Sequence, residues 1–331
     1  MTTVYATTIP ARAYQDPGSL HALHGETMGT SWCVKLVAPA RADLHALHAA
    51  IQSQLDRVVA QMSTWETTSD ISRFNRAAAG TWHALPEHFL AVLSCALDIA
   101  RESDGAFDPT IGPLVAAWGF GAAQGEQEIP GDAVRVDACM RVGWRNVLLQ
   151  PDGRAWQAGG IQLDLSAIAK GYGVDLVVDH LRELGIVAAL VEVGGELRGF
   201  GSKPDGSAWQ VLVEASPDAD EDGEPCVIVL AGGAVATSGD HWHAFEQAGV
   251  SFSHTLDPRS GKPVERACSA VTVIAGDAMR ADAWATAFTV MGAEAGVALA
   301  NERNLAVRFV TRSGHGQVVH MSDPFRTRMP A

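Results

Sequence analysis

An aspartate and a threonine four residues apart, Asp282 and Thr286, sit in an otherwise apolar stretch, ADAWATAFTVMG. In a helix the two side chains share one face, one above the other. An ionised carboxylate among Ala, Trp and Phe needs a charge partner or a metal. A carboxylate with a hydroxyl is a hard, oxygen-only pair, suited to Mg²⁺ or Ca²⁺ rather than zinc. The ordinary alternative has Thr286 bonded back to its own helix and Asp282 paired with an arginine.

Two further stretches carry chemistry. DLSAIAKGYG places Asp164 at a strand end and Lys170 six residues on, around a turn of small residues. Backbone groups in such a turn can face a phosphate or a metal, and Lys170 can act as a point charge for phosphate oxygens. Equally, Ser166 could cap a helix and leave Lys170 in solvent. SHTLDPRSGKP puts His254 three residues before Asp257 in a Pro- and Gly-rich turn. That histidine could serve as a general base, and Asp257 could cap turn amides instead.

Other patterns are weaker. DADEDG, Asp218 to Gly223, mimics half a calcium loop, but its twelfth position is Val229 rather than Glu, so a solvated hairpin loop is expected. His241 and His243 lack a third ligand at metal spacing and read as surface residues. Gly194-Gly195 marks a close backbone approach or a β-bulge. Neither a P-loop nor a dinucleotide-binding glycine fingerprint occurs.

Amphipathic helices are predicted over Ala42–Met62, from Pro86 to a stop at Gly105, and from about Ser166 to Gly185. A short helix capped by Thr110 follows Asp108-Pro109. TMGTSWCVKLV reads as a strand, and β-rich runs alternate with the helices further on. The pattern is α+β rather than a doubly wound parallel sheet. Residues 1–24 and 323–331 read as tails around a single domain, 25–322, or two intimately joined halves.

The 331 residues are 47% hydrophobic and 19% charged, as a globular chain with a real core requires. A net charge of -14 argues against nucleic acid as a partner and favours a bound divalent cation. Five widely spaced cysteines without a CxxC suggest reduced core residues. No stretch is long and apolar enough to span a membrane. The first residues carry no secretory leader, so a cytoplasmic location is expected, or a periplasmic one if a leader has been removed.

Taken together and in order, TMGTSW, STWETTSDISRFN, GAFDPTIGPLVAAWGFG, LDLSAIAKGYGVD, VEVGGELRGFG, SHTLDPRSGKP and ADAWATA resemble the FAD:protein FMN transferase family, the ApbE-type flavin transferases. The resemblance spans about Gly25 to Gly292. It implies a T-fold-like α+β architecture, FAD as substrate and Mg²⁺ as cofactor. It also implies transfer of FMN to a Thr or Ser hydroxyl of an acceptor protein, with release of AMP. Metal ligands would be Asp282 and Thr286 with the backbone oxygens of Ala167 and Ala285. Flavin nucleotide contacts would come from Met28, Trp65, Ala106, Phe107, Asp108, Asp164, Lys170 and Leu256. His254 matches the family's catalytic histidine, with Asp257 as a neighbouring carboxylate and Lys170 steadying phosphate charge. The same site with water as acceptor would be an FAD pyrophosphatase, and without chemistry a flavin-binding protein. Trp65 stands where the family often has Tyr, HTLDP replaces HIIDP, and many relatives act outside the cytoplasmic membrane.

Overall fold

The computed structural model describes residues 18–122, 129–213, 226–230, 232–239, 244–247, 250–264, 268–313 and 316–329. The Asp218–Gly223 loop and the His241/His243 pair lie outside the described residues. The framework is an eight-stranded sheet. Its spatial order is Ser19–Thr27, Thr30–Ala38, Ala189–Val193, Glu196–Phe200, Ala234–Gly239, Cys268–Ala275, Ala306–Ser313 and Gly316–Met321. Every neighbouring pair is antiparallel. The α+β reading of the sequence therefore holds.

The helices in chain order are α1 (Leu44–Met62), α2 (Asp70–Asn75), α3 (Glu87–Glu102), α4 (Gly112–Ala117), α5 (Asp132–Arg141), α6 (Ala169–Glu183), α7 (Ala278–Met291), α8 (Ala293–Arg303) and α9 (Asp323–Arg326). Strand residues alternate between two covers, as the pleat demands. Val34 and Leu36 meet Val174 and Val177 of α6, and Val271 and Val273 join the cluster around α7. Val37 and Ile274 face the opposite side, under the hairpin Trp209–Val213/Cys226–Leu230 and Phe325 of α9.

The central helix is α7. Ala281, Ala283, Trp284, Ala285, Ala287 and Phe288 are all buried, so it has no solvent stripe. A helix apolar all round belongs inside a core. Asp277 starts it by accepting from the Arg280 N–H at 2.8 Å, and Gly292 ends it with φ 77. The one charge on its enclosed surface is Asp282, 5% exposed.

Several sequence expectations shift. The strand Ser19–Thr27 forms within residues read as a tail, because its residues pair throughout with Thr30–Ala38. TMGTSWCVKLV is thus the turn and second arm of a hairpin, not a lone strand. At the other end α9 buries Phe325 completely, where a tail was expected. Helix α6 begins at Ala169 with no side-chain cap, because Asp164 rather than Ser166 satisfies the turn, accepting from the Ser166 N–H at 2.9 Å. Ile111, not Thr110, precedes α4; the Thr110 hydroxyl accepts from the Gly143 N–H at 2.7 Å. All five cysteines are free. Among the described residues no helix is long and apolar enough to cross a membrane.

Candidate active site

The site grows from the contact of α6 with α7. A Cβ on Gly171 would lie 2.2 Å from the Ala278 carbonyl oxygen and 2.8 Å from Asp282 Cβ, so only glycine permits this approach. The closeness lets the Gly171 N–H donate to Asp282 Oδ2 at 3.0 Å. That N–H would ordinarily close the first helical turn on the Ala167 carbonyl, four residues back. Among the described residues no hydrogen bond reaches the Ala167 carbonyl, so its oxygen is left available.

Lys170, next in the chain, faces two carboxylates. Its Nζ lies 2.9 Å from Glu196 Oε1 and 3.8 Å from Asp282 Oδ1. Burial acts to lower the Lys170 pKa, but Asp282 and Glu196 overcome it and hold it above the ordinary lysine value. Burial raises the pKa of Asp282, against the pull of Lys170 and the Gly171 N–H. Glu196 is raised by the same burial and by Asp282, with Lys170 opposing. Two buried carboxylates thus share one ammonium, and Glu196 Oε2 is buried with no partner. Such a cluster is short of positive charge, and a hard cation on Asp282 fits it. Thr286 stands one turn on, half-buried. The hydroxyl that bonds back to the helix is Thr289, which donates to the Ala285 carbonyl at 2.8 Å. Ala285 is therefore already engaged where Ala167 is not.

Glu196 was not singled out in the sequence, although the turn before it was. Gly194 and Gly195, at φ 59 and 102, form a two-residue hairpin turn in which both central residues need positive φ. A Cβ on Gly194 would press on Thr30 Cγ2 at 2.8 Å and Lys170 Cδ at 3.3 Å. The cross-strand pair of Glu196 is the buried Val193, so Glu196 points into the core by simple alternation.

The residues expected to contact the nucleotide lie on several separate segments. Met28 sits at the hairpin turn with φ 48, unusual for a residue with a side chain. Its methyl approaches α6 at Gly173, alongside Leu55 of α1, and a cleft of about 520 Å³ opens along Glu26–Ser31. Asp164 joins the Asp108 loop through its N–H, which donates to the Pro109 carbonyl at 2.8 Å. Asp108 itself is committed to the protein: Oδ1 accepts from the Thr110 N–H and hydroxyl at 2.8 and 2.6 Å, and Oδ2 from the Trp144 N–H at 3.0 Å. Burial raises its pKa, and those bonds oppose the rise. Ala106 and Phe107 are buried, so this stretch presents backbone rather than side chains. Trp65, between α1 and α2, is 67% exposed.

The His254 segment rests on α4. Leu256 is buried with Leu114, Trp118 and Ala138, and the Trp118 indole N–H donates to the Gly261 carbonyl at 3.0 Å. Asp257 is taken up by its own turn: Oδ1 accepts from the Arg259 N–H and Nε at 2.9 Å each, and Oδ2 from Nη2 at 3.2 Å. His254 is half-buried beside it.

A further buried carboxylate fixes the frame. Asp175 of α6 accepts from the Ala278 and Met279 N–H groups at 3.0 and 2.9 Å and from Arg198 Nη1 at 2.7 Å. Asp175→Ala strands the Arg198 guanidinium and frees the start of α7. A loss of about 3–5 kcal/mol in denaturant unfolding is the expected result.

The chain matches one family over most of its length. The ApbE family model matches residues 28–309. The FAD:protein FMN transferase of Vibrio cholerae is 35% identical over 305 residues, covering 92% of this chain and 91% of that one. The Escherichia coli protein of the same name is 32% identical over 321 residues, covering 94% and 91%. Among solved structures, the apo flavinyl transferase ApbE of Pseudomonas stutzeri superposes with a TM-score of 0.87 at 37% identity, covering 95% of this chain and 98% of its own. The family model, the full-length relatives and the superposed structure thus lead to one assignment: the chain is a member of the ApbE family.

Proposed function

We propose that this chain takes FAD and an acceptor protein as substrates, moves FMN onto an acceptor Thr or Ser hydroxyl, and releases AMP. The observation that carries the reading is the buried Asp282, which holds the Gly171 N–H at 3.0 Å and stands 3.8 Å from a lysine shared with Glu196. Asp282, Thr286 and the Ala167 carbonyl would hold Mg²⁺, with Ala285 contributing only through a carbonyl that Thr289 already uses. The ion supplies Lewis-acid polarisation of diphosphate oxygens.

Lys170 keeps its proton, since its pKa is raised. It therefore acts as a fixed positive charge toward the diphosphate and not as a base. Asp257, clasped by Arg259, holds the turn, and the proton of the acceptor hydroxyl passes to the His254 imidazole. The hydroxyl oxygen bonds to the FMN-side phosphorus as the bond from that phosphorus to the AMP oxygen breaks. The exposed Trp65 indole would stack on a ring of the dinucleotide. Trp65→Ala is expected to weaken FAD binding about tenfold in a fluorescence titration, with an unchanged thermal midpoint.

Incubation with FAD and Mg²⁺, with and without an acceptor domain, tests the activity. AMP that appears only with acceptor, and an acceptor heavier by one FMN moiety, are the expected results. AMP without acceptor would mean hydrolysis, and no AMP would mean a binding protein.

A further inference from the structure

Lys170 has two carboxylates within reach and bonds to only one. Its ammonium makes a hydrogen bond to Glu196 Oε1 at 2.9 Å and stands off from Asp282 Oδ1 at 3.8 Å, beyond hydrogen-bond range. The choice is built in by the backbone. The Gly194-Gly195 turn sets Glu196 as the first residue of the returning strand, and the missing Cβ of Gly194 gives the Lys170 stem its path. The Glu196 side chain is 5% exposed, so it cannot turn away into solvent.

A lysine beside a metal carboxylate is a competitor, because its ammonium can occupy the coordinating oxygen as an internal counter-ion. We propose that Glu196 is a positioning residue that draws the Lys170 ammonium off Asp282, so that the aspartate stays open to a divalent cation. The inference rests on the metal reading of Asp282 given above. With Glu196 neutral, Asp282 becomes the only anion among the described residues in reach of Lys170, and the ammonium closes on it. A cation must then displace the lysine before it binds.

The test is calorimetric titration of the full chain with Mg²⁺ alone, in a double-mutant cycle. Glu196→Gln is expected to weaken Mg²⁺ binding about tenfold or more. In a Lys170→Met background the same change is expected to shift affinity by less than about twofold, since no ammonium remains to be steered. If the loss is equally large in both backgrounds, Glu196 acts through its field alone and the positioning role is overturned. Unchanged Mg²⁺ affinity in Glu196→Gln overturns it too. Should Glu196→Gln fail to fold, Glu196→Asp carries the same cycle. It keeps the charge but shortens the reach, and its loss of affinity must again vanish without Lys170. Asp282→Asn separates the two levels. If the wild type binds no Mg²⁺, or if Asp282→Asn binds it as well as the wild type, the metal reading itself falls and the inference with it. If Asp282→Asn abolishes binding but Glu196→Gln leaves it intact, only the inference falls.

Discussion

Asp282→Ala is expected to cut FMN transfer by about 10³-fold or more while the thermal midpoint stays at or above that of the wild type. The two halves of this expectation have one cause. Burial raises the Asp282 pKa although Lys170 and the Gly171 N–H both favour its charge. A carboxylate whose folded pKa lies above its unfolded value is less well held ionised than protonated once the pH exceeds the unfolded value, so its charge at neutral pH adds less to the fold than its neutral form would. Removing it leaves Lys170 paired with Glu196 at 2.9 Å and removes the repulsion between the two acids. The Gly171 N–H can return to the Ala167 carbonyl. The variant is therefore expected to be a well-folded chain without the carboxylate proposed to hold the metal. Transfer measured as AMP release with acceptor, together with a thermal melt, checks both halves. Wild-type transfer in Asp282→Ala would sink the metal assignment, and a collapsed melt would show the carboxylate to be structural.

The sequence carried the local half of this site and missed the long-range half. That Asp282 and Thr286 share one buried helix is legible because a polar pair at i and i+4 in an apolar run is a one-dimensional signal. Lys170 was legible as a charge at a small-residue turn, but its partners were not. Glu196 lies 26 residues away and reads as an ordinary residue after a glycine pair. A signal was present, since a two-residue Gly-Gly turn puts Glu196 opposite the apolar Val193, and an acid at a core-facing position requires a cation. The Asp175–Arg198 pair had no such signal, because it is defined by where α7 begins, about a hundred residues on. The chain ends conceal their partners for a related reason. Polar alternation in SLHALHGET looks like loose tail until a partner strand is known, and Phe325 looks like tail until the outer sheet face is seen to need cover.

Gly171 and Gly173 look equivalent in the sequence, and the fold makes them opposites. Gly171→Ala is expected to lose about 3 kcal/mol or more of stability and most of the Mg²⁺ affinity, whereas Gly173→Ala is expected to lose about 1 kcal/mol or less. At Gly171 the new methyl would meet the Ala278 carbonyl oxygen at 2.2 Å and its carbon at 2.6 Å, and a helix backbone cannot step aside alone. To make room, α7 must shift away from α6. That movement pulls Asp282 off the Gly171 N–H and strains the Asp175 bonds to Ala278 and Met279. At Gly173 the methyl meets Met28 Cε at 3.1 Å and Leu55 Cδ2 at 3.2 Å, both ends of side chains that can rotate. The better helix propensity of alanine then offsets part of the crowding. Urea unfolding of the two variants, paired with Mg²⁺ titration, reads the contrast directly. Equal stabilities would mean that the α6–α7 approach is not held by backbone contact, and the coupling of the metal pocket to that approach would fail with it.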